Sequence, residues 1–513
     1  MSTGGPRAKP GKARAEYKSP RRLQLSRYLS YCSSTCSQNG KICRLLAQPF
    51  ARSKRLAQKA GKASKSAIFG NVIMNAHADV LTPSDYRTSP KPLDAIEDWK
   101  ANNPDKVPVH DKPADMGNPD LYGDNTWQPI FRKMREEAPI NKVTGTPNGD
   151  FWNITTAKAI QHVEALPKVF SSDWQRGGIT IVDLDLSDEA TRASANFLSL
   201  DPPEHTSRRR TVAPAFTPSE MIRLTDLVRQ RTAEILDGLP VDEEFDWVQR
   251  VSVELTTGML ATIFDFPWEH RHALPFWSDW MSDLQIGHSA ELSETRMEVM
   301  MEMAGCFHKL WQQRLDAPPA PDLLSRMIHS EAMDKMDPME FMSNMALLIV
   351  GGNDTTRNSM SSVVEALDRF PEERTKLEEN PDLIPNAVQE FIRYASPVAH
   401  MRRTAVEDTD LMGHQIKAGD KLILWYLSAN HDETVFEDPD RLIVDRENAR
   451  RHLSFGYGIH RCVGARLAEV QLRTLLEEMA ARRMRVKVTG KLERLRQNFI
   501  HGFRAIEVTM TRG

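Results

Sequence analysis

The run Phe455-Gly456-Tyr457-Gly458-Ile459-His460-Arg461-Cys462-Val463-Gly464 is a glycine-rich loop that holds one cysteine and then opens a helix. From Ala468 onward, Leu472, Leu475, Leu476 and Met479 recur near helical spacing, so the loop must feed a helix buried along one face. Cys462 is thereby placed at a helix N-terminus, where free backbone N–H groups and the positive end of the helix dipole favour a thiolate. A thiolate held this way can act as a nucleophile, a disulfide-exchange group or an axial metal ligand. No second cysteine lies close enough in sequence to complete a thioredoxin-type pair.

A chain of 513 residues can bury a large core in one big domain or two. Its net charge of -3 conceals an asymmetry: residues 1–65 hold 16 Lys/Arg against the single acid Glu16, a net of +15, which leaves -18 for the remainder. That first segment is rich in Lys, Arg, Ser, Gly and Pro and has too few apolar residues to order itself. Nucleic-acid contact, membrane-surface attachment and a transit peptide are all readings of such a stretch. The leading expectation is a disordered tail, or upstream sequence that is not translated, with Met74 as the start; residues 1–73 are then an extension and 74–513 the catalytic domain. Cys32, Cys36 and Cys43 match no familiar zinc spacing and lack a fourth ligand. Only Cys306 and Cys462 remain for the folded mass, which argues against a disulfide-built protein and for a reducing compartment. No apolar stretch approaches the roughly 18 residues that span a bilayer, the longest being 345–350, and residues 1–30 are broken by Lys, Arg and Pro. A soluble, cytoplasmic protein is expected.

Helical patterns cover 158–166, 221–236, 251–264, 293–315, 321–329 and 338–369, while strand-like pieces fall at 151–155, 421–426, 484–488 and 503–509. Asp201-Pro202-Pro203-Glu204-His205 fits a helix start. The expected body is mainly α, with small sheets at its margins. Within 338–369 stands Gly351-Gly352-Asn353-Asp354-Thr355-Thr356, a run of poor helix formers in which each interior glycine costs about 1 kcal/mol against alanine. A helix that concedes this at mid-length needs a close approach or a local distortion there.

The cysteine loop resembles the haem-thiolate loop of the cytochrome P450 monooxygenases at Phe455, Gly456, Gly458, His460, Cys462 and Gly464. The resemblance implies the P450 fold, haem b (iron protoporphyrin IX) as cofactor and Cys462 as the ligand to iron, with Phe455, Gly456 and Gly464 shaping the cofactor site. It also implies that the 351–356 run is the oxygen-activation segment: Thr355 hydrogen-bonds dioxygen or a water beside it, and Asp354 helps to deliver protons to the distal oxygen. A hydroxyl–carboxylate pair can relay protons into a dry pocket without flooding it. His205, Arg209, Arg403 and His460 match the family's anchors for the haem propionates. Glu390 and Arg393, at i and i+3, match its structural glutamate–arginine pair, with Arg441 as the second arginine it reaches and Arg446 as the alternative. No flavin or iron–sulfur motif is present, so electrons are expected from elsewhere; the resemblance to soluble bacterial members implies a 2Fe-2S ferredoxin and an NAD(P)H-dependent ferredoxin reductase, and Arg450, Arg451, Arg461, Arg466 and Arg473 offer a basic patch for a small acidic carrier.

The likeness runs from about residue 85 to the C-terminus and narrows further. Gly177-Gly178-Ile179-Thr180-Ile181, the 351–358 run, Ala399-His400-Met401-Arg402-Arg403-Thr404-Ala405 and His452-Leu453-Ser454-Phe455-Gly456 resemble the bacterial subfamily that hydroxylates medium-chain alkanes and fatty acids at the terminal carbon. His431 departs from the usual pattern after Asn430, and Leu184, Leu186 and Phe197 are not evidently shared. The expected pocket is formed by Ile179, Ile181, Leu347, Leu348, Val350, Gly351, Val398, Ala399 and Met401, each with core packing as the competing role. So apolar a lining predicts affinity rising by about 0.8 kcal/mol per buried methylene. Alternatives are a hydroxylase of a steroid, terpene or other bulky molecule, and a non-catalytic haem-binding sensor; the second has no use for a proton relay. No nucleic-acid partner is expected.

Overall fold

Among the described residues helix α5 (Pro338–Arg369) is the longest element and the one on which many of the other helices pack. It begins where Asp337 accepts hydrogen bonds from the N–H groups of Met339 and Glu340, at 2.9 and 3.1 Å, with Pro338 in the first turn. It stops before Pro371, which opens the next helix. The structure, a computed structural model, describes residues 91–184, 186 and 195–513. The basic extension 1–73, its three cysteines and Met74 lie outside the described residues.

Around α5 stand α1 (Ala157–Glu164), α2 (Glu204–Val212), α3 (Glu254–Phe264), α4 (Ala273–Ser282), α6 (Ile384–Ala395) and α7 (Ala465–Ala481), with further helices at Pro218–Asp237 and Ala290–Arg314. The apolar stripe anticipated after the cysteine loop is the buried face of α7: Leu472, Leu475, Leu476 and Met479 pack with Val363 and Val364 of α5 and Phe391 and Ile392 of α6 in one core. Burying each such side chain contributes about 1.5–3 kcal/mol. This pins α7, and so the loop before it, to the central helix.

The strands are β1 (Ile140–Thr146), β2 (Gly149–Ile154), β3 (Phe170–Ser171), β4 (Phe245–Asp246), β5 (Met401–Ala405), β6 (Thr409–Leu411), β7 (His414–Ile416), β8 (Lys421–Leu424), β9 (Met484–Arg494) and β10 (Phe503–Arg512). They form a five-stranded sheet in the order β1-β2-β8-β5-β3, a three-stranded sheet β4-β10-β9 and the hairpin β6-β7. In the larger sheet β2 runs parallel to β8, with Trp152 opposite Leu422, and β5 runs antiparallel to β8, with Arg403 opposite Leu422. The fold is thus mainly helical with small open sheets, as the sequence pattern predicts. Among the described residues no helix is long and apolar enough to cross a membrane.

The stretch before β2, for which the sequence pattern predicts no element, is ordered: it contains a helix, Trp127–Glu137, and strand β1. Trp127, Phe131 and Met134 are the buried apolar positions of that helix, an i, i+4, i+7 stripe diluted by five charged residues, of which Arg135 is also buried. The turn into β2 carries Asn148-Gly149, a hairpin signal, and Gly149 has the positive φ of 73° that such a turn requires.

Candidate active site

The cysteine loop is closed by a hydrogen bond from the Cys462 N–H to the Phe455 carbonyl, at 2.8 Å. Gly458 is required twice over: its φ is +66°, and a Cβ there would lie 2.5 Å from the backbone oxygen of Glu164 on α1. Cys462 retains accessible surface although the protein packs closely around its sulfur. Burial pushes the thiol above its ordinary range, while the Gly464 and Ala465 N–H groups and the charges of Arg209 and Arg461 pull it down. The helix-terminal donors foreseen from sequence are present, but burial outweighs them. A cation at the sulfur is what this environment needs to hold a thiolate.

Four nitrogen-bearing side chains gather beside the loop. His205 of α2 and His460 sit ring to ring, 4.2 Å between centroids. Burial and the charges of Arg403, His205 and Arg209 push His460 down to about 2, and burial followed by Arg209 pushes His205 down to about 4. Both ring nitrogens of His205 and Nδ1 of His460 are buried without a partner, whereas His460 Nε2 lies 3.1 Å from Ser172 Oγ. Arg209 reaches the Arg461 carbonyl. Arg403 donates to Glu164 Oε1 and to the Arg402 carbonyl, both at 2.8 Å. Crowded donors with unanswered nitrogens suit a group bearing carboxylates, and a soft sulfur donor beside them suits iron. The residues present therefore fit haem b, with Cys462 to the metal and His205, Arg209, Arg403 and His460 toward the propionates.

The odd run in α5 divides its work. A Cβ on Gly352 would lie 2.6 Å from Leu260 Cδ2 of α3, so this glycine permits close helix packing. A Cβ on Gly351 would meet nothing within 4 Å, so that turn borders open space. Thr355 Oγ1 donates to the Gly351 carbonyl at 2.8 Å. Asp354 is fully buried and turned toward α4: its Oδ1 accepts from Arg357 Nη2 at 2.9 Å and Asn353 Nδ2 at 3.0 Å, and the same Arg357 nitrogen donates to Asp279 Oδ1 at 2.8 Å. Its Oδ2 lies on the α4 side, where the Ser278 and Ser282 hydroxyls come near without a well-aligned hydrogen bond. Burial raises the Asp354 carboxyl, with Arg357 opposing and Asp279 adding to the rise. Nothing in the spacing of the sequence pointed to Asp279, which lies on a helix the apolar pattern did not reveal.

The glutamate–arginine pair is buried on both sides, Arg393 Nε and Nη2 each donating to Glu390 at 2.8 Å. Its third member is Arg446, whose Nε donates to both Glu390 oxygens at 3.0 Å. Arg441 was the expected residue and this is a correction: its guanidinium lies at the surface with Glu372, at 2.6 Å, and it serves the network only through its carbonyl, which accepts from Arg393 Nη2 at 2.9 Å. Register decides the matter, because the chain turns between Arg441 and Arg446 and presents the later side chain inward.

Of the expected pocket residues, Ile179, Leu347, Val350, Val398 and Met401 are half-buried and Leu348 is nearly closed off. Ile181 and Ala399 are fully buried in a core cluster with Met116, Tyr122 and Trp425, and as placed they are packing residues rather than lining. Arg450, Arg451, Arg461, Arg466 and Arg473 are all exposed, with Arg473 paired to Glu477 at 2.7 Å.

A mainly helical fold with a cysteine loop opening α7, a glycine-interrupted central helix and a cluster of His and Arg side chains beside the loop is that of a haem-thiolate monooxygenase. The cytochrome P450 family model matches residues 217–491, and the chain belongs to that family, with haem b as its cofactor. The structure of cytochrome P450-153 from Novosphingobium aromaticivorans is 58% identical, with a TM-score of 0.74 over 78% of this chain and 99% of that one. Linalool 8-monooxygenase of Pseudomonas putida is 35% identical over 77% of this chain and 98% of its own length. The methyl-branched lipid omega-hydroxylase of Mycobacterium tuberculosis (strain H37Rv) is 31% identical over 79% and 96%.

Proposed function

We propose that this chain inserts one oxygen atom of dioxygen into the terminal C–H bond of a medium-chain alkane or fatty acid. The observation that carries the reading is the open space at the Gly351 turn, preceded on α5 by the apolar Leu347, Leu348 and Val350, with Ile179, Val398 and Met401 as further half-buried apolar candidates for the lining. The omega-hydroxylase relative supports attack at a chain end. Haem b, when bound, supplies the iron at which dioxygen is activated. The chain's own residues do the rest. Cys462 would hold the iron and donate electron density to it. The apolar residues exclude water and orient the chain end, which matters because a primary C–H bond is harder to break than the secondary bonds beside it.

Protons enter along α5. Asp354, held with a raised carboxyl beside Arg357 and Asp279, takes a proton from the α4 side and passes it toward the Thr355 hydroxyl, which leaves the Gly351 carbonyl to donate into the groove. Electrons come from a 2Fe-2S ferredoxin with its NAD(P)H-dependent reductase in the cytoplasm, docking on the exposed arginines around the cysteine loop.

A terpene or steroid substrate is the second reading, favoured by the likeness to linalool 8-monooxygenase. Titrating the ferric protein with dodecanoic acid, octane, linalool and a steroid, then locating the hydroxyl on each product, separates the two. The account predicts loss of the low-spin signal with the linear ligands and product at the terminal carbon. A response confined to the cyclic or branched ligands overturns it.

A further inference from the structure

Glu164, the last residue of α1, is a carboxylate at the cysteine loop that the sequence motifs do not single out. Its side chain is almost wholly enclosed, and every bond it makes runs to the site. Oε1 accepts from Arg403 Nη2 at 2.8 Å and from the Tyr426 hydroxyl at 2.7 Å, while Oε2 accepts from the Tyr457 N–H at 2.9 Å. Its backbone oxygen fills the space that makes Gly458 obligatory. One carboxylate thus joins strand β5, through Arg403, to the backbone of the loop that carries Cys462, through Tyr457. Tyr426, which follows β8, steadies it from a third direction. Burial raises the Glu164 carboxyl and the three donors oppose that rise. Three donors converging on two oxygens is the arrangement of an ionised carboxylate.

We propose that Glu164 is a positioning residue for the haem-thiolate centre: it fixes the loop that presents Cys462 relative to Arg403 and neutralises part of the arginine's charge at the haem edge. The inference rests on the reading of Cys462 as the iron ligand. Two consequences separate it from ordinary packing. First, loosening the clamp frees the loop, so the sulfur is lost from the iron more readily. Second, removing the negative charge leaves Arg403 less compensated, which favours the more negative, reduced state of the cofactor and shifts its potential upward.

The test uses the haem-loaded full chain and two variants, Glu164→Gln and Tyr426→Phe. The first keeps the shape but loses the charge and one acceptor. The second keeps the charge and removes one donor. The readouts are the rate at which the reduced carbon monoxide complex loses its thiolate-type Soret band in mild denaturant, and the reduction potential. Expected are a roughly tenfold faster loss in Glu164→Gln, a smaller acceleration in Tyr426→Phe, and an upward potential shift in Glu164→Gln alone. Wild-type rates in Tyr426→Phe together with either a wild-type rate or an unshifted potential in Glu164→Gln overturn the proposal. Should Glu164→Gln fail to take up haem, Tyr426→Phe decides alone: acceleration supports the clamp and a wild-type rate refutes it. A wild-type protein that never shows the thiolate band defeats the underlying haem-thiolate reading instead, an outcome distinct from either of these.

Discussion

Replacing Arg446 by leucine and, separately, Arg441 by leucine tests which arginine completes the buried network. Arg446 is 5% exposed at its side chain and Glu390 0%, and the guanidinium also donates to the Glu437 carbonyl at 2.5 Å. Leucine at 446 leaves Glu390 with Arg393 and the Ile443 N–H but strips two charge-assisted contacts from a carboxylate that water does not reach. Breaking one side of such a buried pair costs about 3–5 kcal/mol, a large share of a typical folding free energy. Arg441 is 52% exposed and its partner Glu372 49%, so the same substitution there costs at most about 1 kcal/mol, and its carbonyl contact to Arg393 survives. Denaturant titration followed by haem absorbance reads both. Arg446→Leu should lose the cofactor at far lower denaturant than wild type, or fail to load it, while Arg441→Leu stays close to wild type. Equal losses, or a larger loss at 441, would refute the assignment drawn from the geometry.

Thr355→Ala should retain haem while diverting reducing equivalents to peroxide, read as NAD(P)H consumed per product formed; unchanged coupling contradicts the role given to the Thr355 hydroxyl. Acid stability follows from three histidines that burial keeps neutral, His400 and His501 pushed down to about 4 and His452 to about 3. Each protonates near pH 6.5 in the unfolded chain but only at those lower values in the fold, so stability is fully present above about pH 6.5 and is lost as pH falls toward 4, by about 1.4 kcal/mol per histidine per pH unit. Melting temperatures measured from pH 7.5 to 5 should therefore fall increasingly steeply below 6.5, and a flat profile contradicts the burial of these rings.

Much of this architecture could be read from residue order because local signals and tertiary demands agree. The α7 stripe, the 338–369 extent of α5 and the Gly351-Gly352 interruption all follow from spacing and propensity, and each has its physical cause in the structure: a buried face, a long helix packed in the core, and one glycine for packing with another beside open space. What escaped depends on contacts remote in sequence. Glu164 acts across the loop at Tyr457 and the strand at Arg403, and Asp279 meets Arg357 from another helix. Arg441 and Arg446 are both arginines in an irregular segment, where no period tells which side chain turns inward. Ile181 and Ala399 carry the apolar character of a pocket lining and of a core alike, and only packing distinguishes the two.

The central claim is that one sulfur, that of Cys462, ligates haem iron. Reducing the haem-loaded protein under carbon monoxide and recording its spectrum tests this directly. The account predicts the red-shifted Soret band of a thiolate ligand in the wild-type chain and its loss in Cys462→Ser. An imidazole-type spectrum in the wild type, or a red-shifted band that persists in Cys462→Ser, would contradict it.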